Sequence, residues 1–404
     1  MRLEAPGAPH LTYCTSIHPG ETWPEVRRNL ERHIPAVKAS VSPDRPFGIG
    51  LRLSSQAALA LAKPAALDEF HAFLQQQQLY VFTINGFPYG EFGQGRIKER
   101  VYLPDWRDDA RLAYTDRLGH ILAALLPPDL EGSISTAPGA FRAHLNSHSD
   151  PERMAELMLR HAATLSRLRQ CTGKMISLAL EPEPACCLET AADAVEFFQH
   201  GLFGKRAQER FGQLTGLAPG DCEAALRCHL GVCLDTCHAA IEFETADETV
   251  AAYRAAGIQI AKVQVSAGLC VPADSWNSAT REALMRFDDG IYLHQVVAQD
   301  ASGLRRYVDL PEAFADSLEP PGIAVEWRVH CHVPIFLERL GSFASTQAYL
   351  HDLFALYRRT PFTTQFEVET YTWHVLPKEY RGEDVTQSVS RELQWAQRQL
   401  VSGS

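Results

Sequence analysis

The sequence predicts an α/β fold with a parallel sheet buried on both faces, closed as a (β/α)8 TIM barrel. Short, nearly continuous apolar runs alternate with helix-like stretches, and eight such runs can be placed in order. No GxGxxG follows the first strand and no GxxxxGK[ST] occurs, so the doubly wound nucleotide folds lose their usual support. With 46% apolar and 22% charged residues, the 404-residue chain has the composition of an ordinary globular protein. Residues 1–404 are read as one barrel domain, lengthened by a candidate lid loop at about 86–106 and by a long insertion between strands 7 and 8, at about 267–335.

The first strand is read over His10 to Ile17, and a helix follows it. Thr22 and Glu25 make a capping box there, and Trp23, Val26, Leu30, Ile34 and Val37 recur at helical spacing. Phe47 to Leu53 is the second strand, Ser54 to Leu74 a helical region, and Leu79 to Ile84 the third strand, ending at Asn85. The stretch from Gly86 to Trp106 is either a surface excursion held by Tyr89, Phe92 and Trp106 or a lid over a substrate.

A helix around Ala110 to Leu126 leads to a weak fourth strand, Ser133 to Ala137. Asp150 is expected to cap a helix that begins at Pro151 and presents Met154, Leu157, Met158, His161, Leu165 and Leu168. Met175 to Leu180 is the fifth strand, ending in Glu181, Pro182 and Glu183. Helical sequence fills Leu188 to Leu230. The run GVCLDTCH at 231–238 is the sixth strand with Asp235 at its end, and Ile258 to Val265 is the seventh. The eighth comes only at Phe366 to Thr370, after an interval containing the strand-like stretches Tyr292 to Val297 and Ile323 to Val333. An amphipathic helix carrying Val385, Val389, Leu393, Ala396 and Leu400 closes the chain.

The bulk properties narrow the function. A net charge of −11 opposes binding to a phosphate backbone, so no nucleic-acid partner is expected. The opening MRLEAPGAPH has no signal-peptide profile and no apolar run approaches the roughly 20 residues of a membrane span, so the expectation is a cytoplasmic protein without membrane insertion. Ten irregularly spaced cysteines read as reduced thiols.

Four strands end in residues able to ligate a metal: Glu181, Asp235 with His238, Gln264, and Glu369. A lone carboxylate after a strand is commonly a helix cap or a solvated loop residue, but a barrel brings all strand carboxyl ends to one face. Two carboxylates about 4 Å apart repel by about 4 kcal/mol at an effective dielectric of 20, so a cluster of three must hold protons or a cation. Carboxylate, amide and imidazole donors together suit Mn²⁺, Mg²⁺ or Zn²⁺. His330 and His332, in RVHCHVP, either occupy an exposed strand face or, pointing the same way, ligate together. Lys262 and Gln264 share a face of their strand for the same reason, while His144, His148, His161 and His294 read as structural or surface residues.

At this point VCLDTCHA at 232–239 resembles the metal-binding signature of the xylose-isomerase-like barrels, the superfamily of sugar phosphate isomerases and epimerases and of endonuclease IV-like enzymes. SLALEPEP, IAKVQVS, RVHCHVP and FEVETYT follow in the order of that superfamily's other active-site strands. More narrowly, HLTYCTSIHPGETW, NGFPYG and ETYTWHVLP resemble the EboE family of metabolite-traffic proteins, a resemblance that implies association with a prenyltransferase-type operon partner. The superfamily resemblance implies metal ligation by Glu181, Asp235 and Glu369, with His238 as a further ligand or a substrate contact. Gln264 stands where the epimerases have histidine; His330 falls near the late histidine of the endonucleases, whose accompanying aspartate is Arg328 here.

The leading expectation is a metal-dependent isomerase or epimerase-like enzyme that uses one divalent ion and acts on a small polyhydroxylated or carbonyl metabolite. Metal ligation is assigned to Glu181, Asp235, His238, Gln264, His330 and Glu369. Catalysis is assigned to Glu181, Glu369, His238 and Lys262, and substrate contact to His18, Asn85, Lys98, Tyr102 and His332. The alternatives are a binding or traffic protein without turnover on the same barrel, and an endonuclease IV-like repair enzyme, which would need a trinuclear zinc cluster.

Overall fold

The computed structural model describes residues 1–90, 97–316, 325–374, 376–377 and 384–401. Seven parallel strands come in succession: β1 (His10–Tyr13), β2 (Phe47–Arg52), β3 (Leu79–Asn85), β4 (Gly132–Thr136), β5 (Ile176–Leu180), β6 (Leu230–Asp235) and β7 (Gln259–Val265). Six short strands follow: β8 (Leu269–Val271), β9 (Val296–Asp300), β10 (Gly303–Tyr307), β11 (Glu326–Val329), β12 (Arg339–Leu340) and β13 (Phe343–Ser345). The last barrel strand is β14 (Gln365–Val368).

The barrel sheet runs β1-β14-β7-β6-β5-β4-β3-β2. Its two ends meet at a single parallel bridge, Cys14 to Gly50. Side chains complete that seam. Thr12 Oγ1 donates to Gly48 O at 2.7 Å and accepts from Gly50 N at 3.1 Å, while Thr15 Oγ1 accepts from Arg52 N at 2.9 Å. The strands are buried at nearly every position because helices cover the outside and side chains fill the inside, so neither face meets water.

Several boundaries depart from the sequence expectation, each for a local reason. The first strand stops at Tyr13 and passes into a 3₁₀ turn, Thr15–Ile17. The helical region after β2 is two helices, Ser55–Leu61 and Pro64–Gln76, because Pro64 lacks an N–H and disfavours helical backbone in the residue before it. Asp150 is the first helical residue rather than the cap; its Oδ2 accepts from Asn146 N at 3.0 Å and from Arg107 Nη1 at 3.1 Å, which ties down the preceding loop instead. The Thr22–Glu25 box is present, with Thr22 N donating to Glu25 Oε2 at 2.9 Å. The helix Val385–Val401 buries Val389, Leu393, Ala396 and Leu400.

The residues between β7 and β14 build a second, antiparallel sheet in the order β10-β9-β11-β8-β13-β12. It extends to Ser345, beyond residue 335. Its register sets β9 and β8 on either side of β11, and the chain leaving β11 at Val329 runs straight into His330 and His332. The second sheet thus carries side chains to the barrel's carboxyl-end face. Among the described residues no helix is long and apolar enough to cross a membrane.

Candidate metal centre

Asp235, at the end of β6, is held by its own chain. Its Oδ1 accepts from Cys237 N at 2.8 Å, His238 N at 3.0 Å and Ser266 Oγ at 2.7 Å. Its other oxygen, Oδ2, is buried and has no hydrogen-bond partner among the described residues. Glu181, just past β5, and Glu369, just past β14, face it, and one carboxylate oxygen from each of the three lies within 4.8 Å of the others. All three side chains are buried.

Two amides fix the orientation of the glutamates. Asn85, at the end of β3, donates Nδ2 to Glu369 Oε1 at 2.8 Å. Gln264 Nε2 bonds to Glu181 Oε1 at 3.1 Å and also to Glu369 Oε2, while Gln264 Oε1 accepts from the Cys233 thiol at 2.7 Å. Gln264, expected to offer its carbonyl to a metal, is placed here with these hydrogen bonds instead. The carbonyl points to Cys233, and the amide nitrogen positions the carboxylates.

Burial, together with the neighbouring Glu369 and Asp235 charges, pushes the Glu181 carboxyl well above its ordinary range. Burial and the Asp235 charge likewise push Glu369 up, to about 8. In a cluster without a cation these groups therefore hold protons at neutral pH. Glu181 Oε2, Asp235 Oδ2 and His332 Nε2 are buried atoms without partners among the described residues. An unpaired buried polar atom costs about 1–3 kcal/mol, more when charged, and a divalent cation between Glu181 and Asp235 would satisfy their two free oxygens together. A donor set of carboxylate oxygens with one imidazole fits Mn²⁺, Mg²⁺ or Zn²⁺.

The histidines lie on the same side of the barrel. His330 and His332 follow β11 rather than sitting on it, and both are buried, so the exposed-face reading of RVHCHVP does not hold. His332 Nδ1 donates to Glu369 O at 2.5 Å. His238 and His330 meet at their Nε2 atoms, 3.1 Å apart. One donor atom from each of Asp235, His238 and His332 also lies within 4.8 Å of the other two, which places the imidazoles beside the carboxylates.

These groups line a cavity of about 60 Å³. Its wall includes Asn85, Phe87, Lys98, Tyr102, His332 and Tyr371. The described end of the 86–106 loop is pinned to the second sheet, with the backbone N–H groups of Ile97 and Lys98 donating to Ile291 O at 2.9 and 2.8 Å. Lys98 Nζ pairs with Asp309 at 2.5 Å. Residues 91–96, including Phe92, lie outside the described residues.

Two expected site residues sit elsewhere. His18 does not line the cavity; its Nε2 is 2.9 Å from Tyr13 Oη and its ring stacks on His33 at 4.1 Å. Lys262 faces the barrel interior as predicted, but below the cavity, where it pairs with the buried Glu367. A strand advances about 3.3 Å per residue, so Lys262 lies one side-chain layer beneath Gln264.

Sequence reasoning missed Glu183, Gln295 and Cys233. Glu183 is buried on the cavity wall, accepting from Tyr102 Oη at 2.7 Å and from Gln295 Nε2 at 3.3 Å. The spacing of Glu181 and Glu183 in EPE was a usable signal, since residues two apart on extended chain face the same way. Gln295 carried no comparable signal.

No protein-family model matches the chain, and no curated protein sequence does. Solved structures do. A xylose isomerase-like TIM barrel protein from Mycobacterium smegmatis in complex with magnesium matches with a TM-score of 0.52 at 11% identity, over 98% of each chain. The IolI protein with a bound zinc atom matches at 0.46 and 12%, over 98% of this chain and 100% of that one. An AP endonuclease of family 2 from Brucella melitensis matches at 0.36 and 18%, over 64% and 79%. The first of these likenesses, with the strand order above, establishes the fold as a xylose-isomerase-like TIM barrel.

Proposed function

We propose that this chain is a metal-dependent isomerase or epimerase-like enzyme acting on a small polyhydroxylated or carbonyl metabolite, and, in the narrower reading, an EboE-like metabolite-traffic protein. The observation that carries the reading is the convergence of Glu181, Asp235 and Glu369 in a buried cluster that retains unpartnered oxygens at a cavity.

Glu181, Asp235 and Glu369, with His332, would hold one divalent ion. Such an ion supplies a Lewis acid that polarises a carbonyl or hydroxyl oxygen. The protein's own groups do the rest. Asn85 and Gln264 lock the glutamates in orientation. Glu181 Oε1 is engaged by Gln264, which leaves Oε2 as the oxygen that would face the ion. Phe87, Tyr102 and Tyr371 give the cavity an aromatic wall.

An isomerase or epimerase moves a proton on carbon. The test is NMR detection of deuterium incorporation from D2O into a panel of ketoses and aldoses, with protein loaded with Mn²⁺. Glu369→Gln is expected to abolish exchange while leaving binding measurable. Metal-dependent binding without exchange in the wild type would instead indicate a traffic protein. A panel that neither binds nor exchanges would sink the proposal.

A further inference from the structure

A groove opens at the other end of the barrel from the carboxylate cluster, where β1 and β3 begin at His10 and Leu79. Its volume is about 1060 Å³, against about 60 Å³ at the cluster. Ligand pockets commonly enclose about 300–1,000 Å³ and set a few convergent polar groups in an apolar wall. This groove has both parts. Leu3, Leu74, Leu79 and Leu130, with Pro46 and Pro127, supply the wall. Two further lining residues, Ala8 and Gln78, hold left-handed backbone at φ 45° and 54°. A residue with a Cβ stays there only where its surroundings fix it, and such strain gathers at ligand sites.

The polar groups gather around Arg2, which forms an isolated antiparallel bridge with His10. His10 Nδ1 lies 2.7 Å from Tyr80 Oη, and both rings line the groove. The Arg2 charge reaches both of them. Burial and nearby positive charge, Arg2 included, push His10 down to about 4, which leaves the ring neutral. Burial raises the Tyr80 hydroxyl and Arg2 pulls it back. Arg2 itself is exposed and has no ion-pair partner among the described residues. Arg45, also on the rim, meets Glu4 at 2.7 Å with both side chains exposed, a kind of pair that contributes little. The rim thus sets two arginines against one glutamate. A hydrocarbon in the groove would leave Arg2 unanswered, and a bare inorganic anion would leave the leucines wet.

We propose that this groove at the amino end of the barrel binds an amphipathic carboxylate, with its apolar body on Leu3, Leu74, Leu79 and Leu130 and its charged head on Arg2. Guanidinium suits that head, because its planar fork meets both carboxylate oxygens. The groove shares no residue with the carboxylate cluster and does not require the proposed function to hold.

The test is calorimetric titration of decanoate into the full chain, metal-stripped, in wild type and three variants. Saturable binding of about one decanoate per chain is expected in the wild type. Arg2→Ala, at an exposed position, is expected to weaken it by about 10-fold, as loss of a charged hydrogen-bonding partner does. Leu130→Asp, at a half-buried loop position, is expected to abolish it by placing a like charge in the apolar wall. Glu369→Gln is expected to bind as the wild type does. No saturable binding by folded wild type would overturn the inference, and so would equal binding by wild type, Arg2→Ala and Leu130→Asp. Loss in Glu369→Gln with none in Arg2→Ala would place the ligand at the carboxylate cluster and overturn it as well. None of these readings involves Mn²⁺ or deuterium exchange, so failure here leaves the proposed function standing.

Discussion

Lys262 and Glu367 form an ion pair sealed inside the barrel, with both side chains buried. Glu367 Oε1 has no partner among the described residues, so the glutamate depends on the lysine for its charge balance. Lys262 also tempers the upward push on Glu181 and Glu369 from one layer below.

Removing one member of such a pair strands a buried charge and costs about 3–5 kcal/mol, whereas replacing both with apolar groups of similar volume is often close to neutral. Lys262→Met is therefore expected to lower stability in urea denaturation by about that amount, and the double variant with Glu367→Met to recover most of it. A single variant as stable as wild type would show that the pair is not what holds Glu367 in place.

Gly50 marks where the barrel closes on itself. A Cβ there would run into Glu367 Oε1 and come within 2.6 Å of Tyr13 O, a backbone atom that cannot move aside. Gly50→Ala is expected to destabilise the fold by about 1–3 kcal/mol or to open the β1–β2 seam. Faster amide hydrogen exchange confined to Thr12–Cys14 and Gly48–Arg52 would report the opening. Unchanged exchange and stability would contradict the tight closure.

The pH dependence of stability follows from the carboxyl groups. Glu181 and Glu369 titrate above the ordinary range in the folded chain, Glu369 at about 8. The folded state therefore binds more protons than the unfolded state between the ordinary carboxyl range and that value, and metal-free protein loses stability as pH rises through it. Thermal melts of the metal-free chain are expected to fall from pH about 5 to about 8, and the fall to shrink in Glu181→Gln with Glu369→Gln. Divalent metal displaces those protons, so its stabilising effect should grow over the same interval. Equal pH slopes in wild type and double variant would contradict the assigned shifts.

Much of this architecture was legible in the residues. The apolar runs at 47–53, 79–84 and 231–235 became barrel strands because a strand buried on both faces needs apolar side chains in either direction. Glu181, Asp235 and Glu369, at the ends of three barrel strands, converged because barrel topology leaves one face for all of them. Depth and direction were less legible. Lys262 and Gln264 do share a face, but alternation does not say which layer meets the cavity. The Gln264 amide reads the same in sequence whichever way it points, and the Cys233 thiol that takes its carbonyl lies on the neighbouring strand. The second sheet was half visible. Tyr292 to Val297 overlaps β9 only at Val296 and Val297 and the stretch ending at Val333 contains β11, whereas the β9–β10 hairpin turns at Asp300 and Gly303 with polar, exposed partners that carry no apolar signature.

The central claim is that Glu181, Asp235 and Glu369 hold a divalent ion. It is tested most directly by titrating Mn²⁺ calorimetrically into metal-stripped wild type and into Asp235→Asn, a change that keeps the shape of the cap on the helix Thr236–Ile241 while removing the charge. We predict saturable binding of about one hard cation in the wild type and affinity lower by at least about 10–100-fold in the variant. Equal affinity in the two proteins, or no Mn²⁺ binding by a correctly folded wild type, would contradict the account.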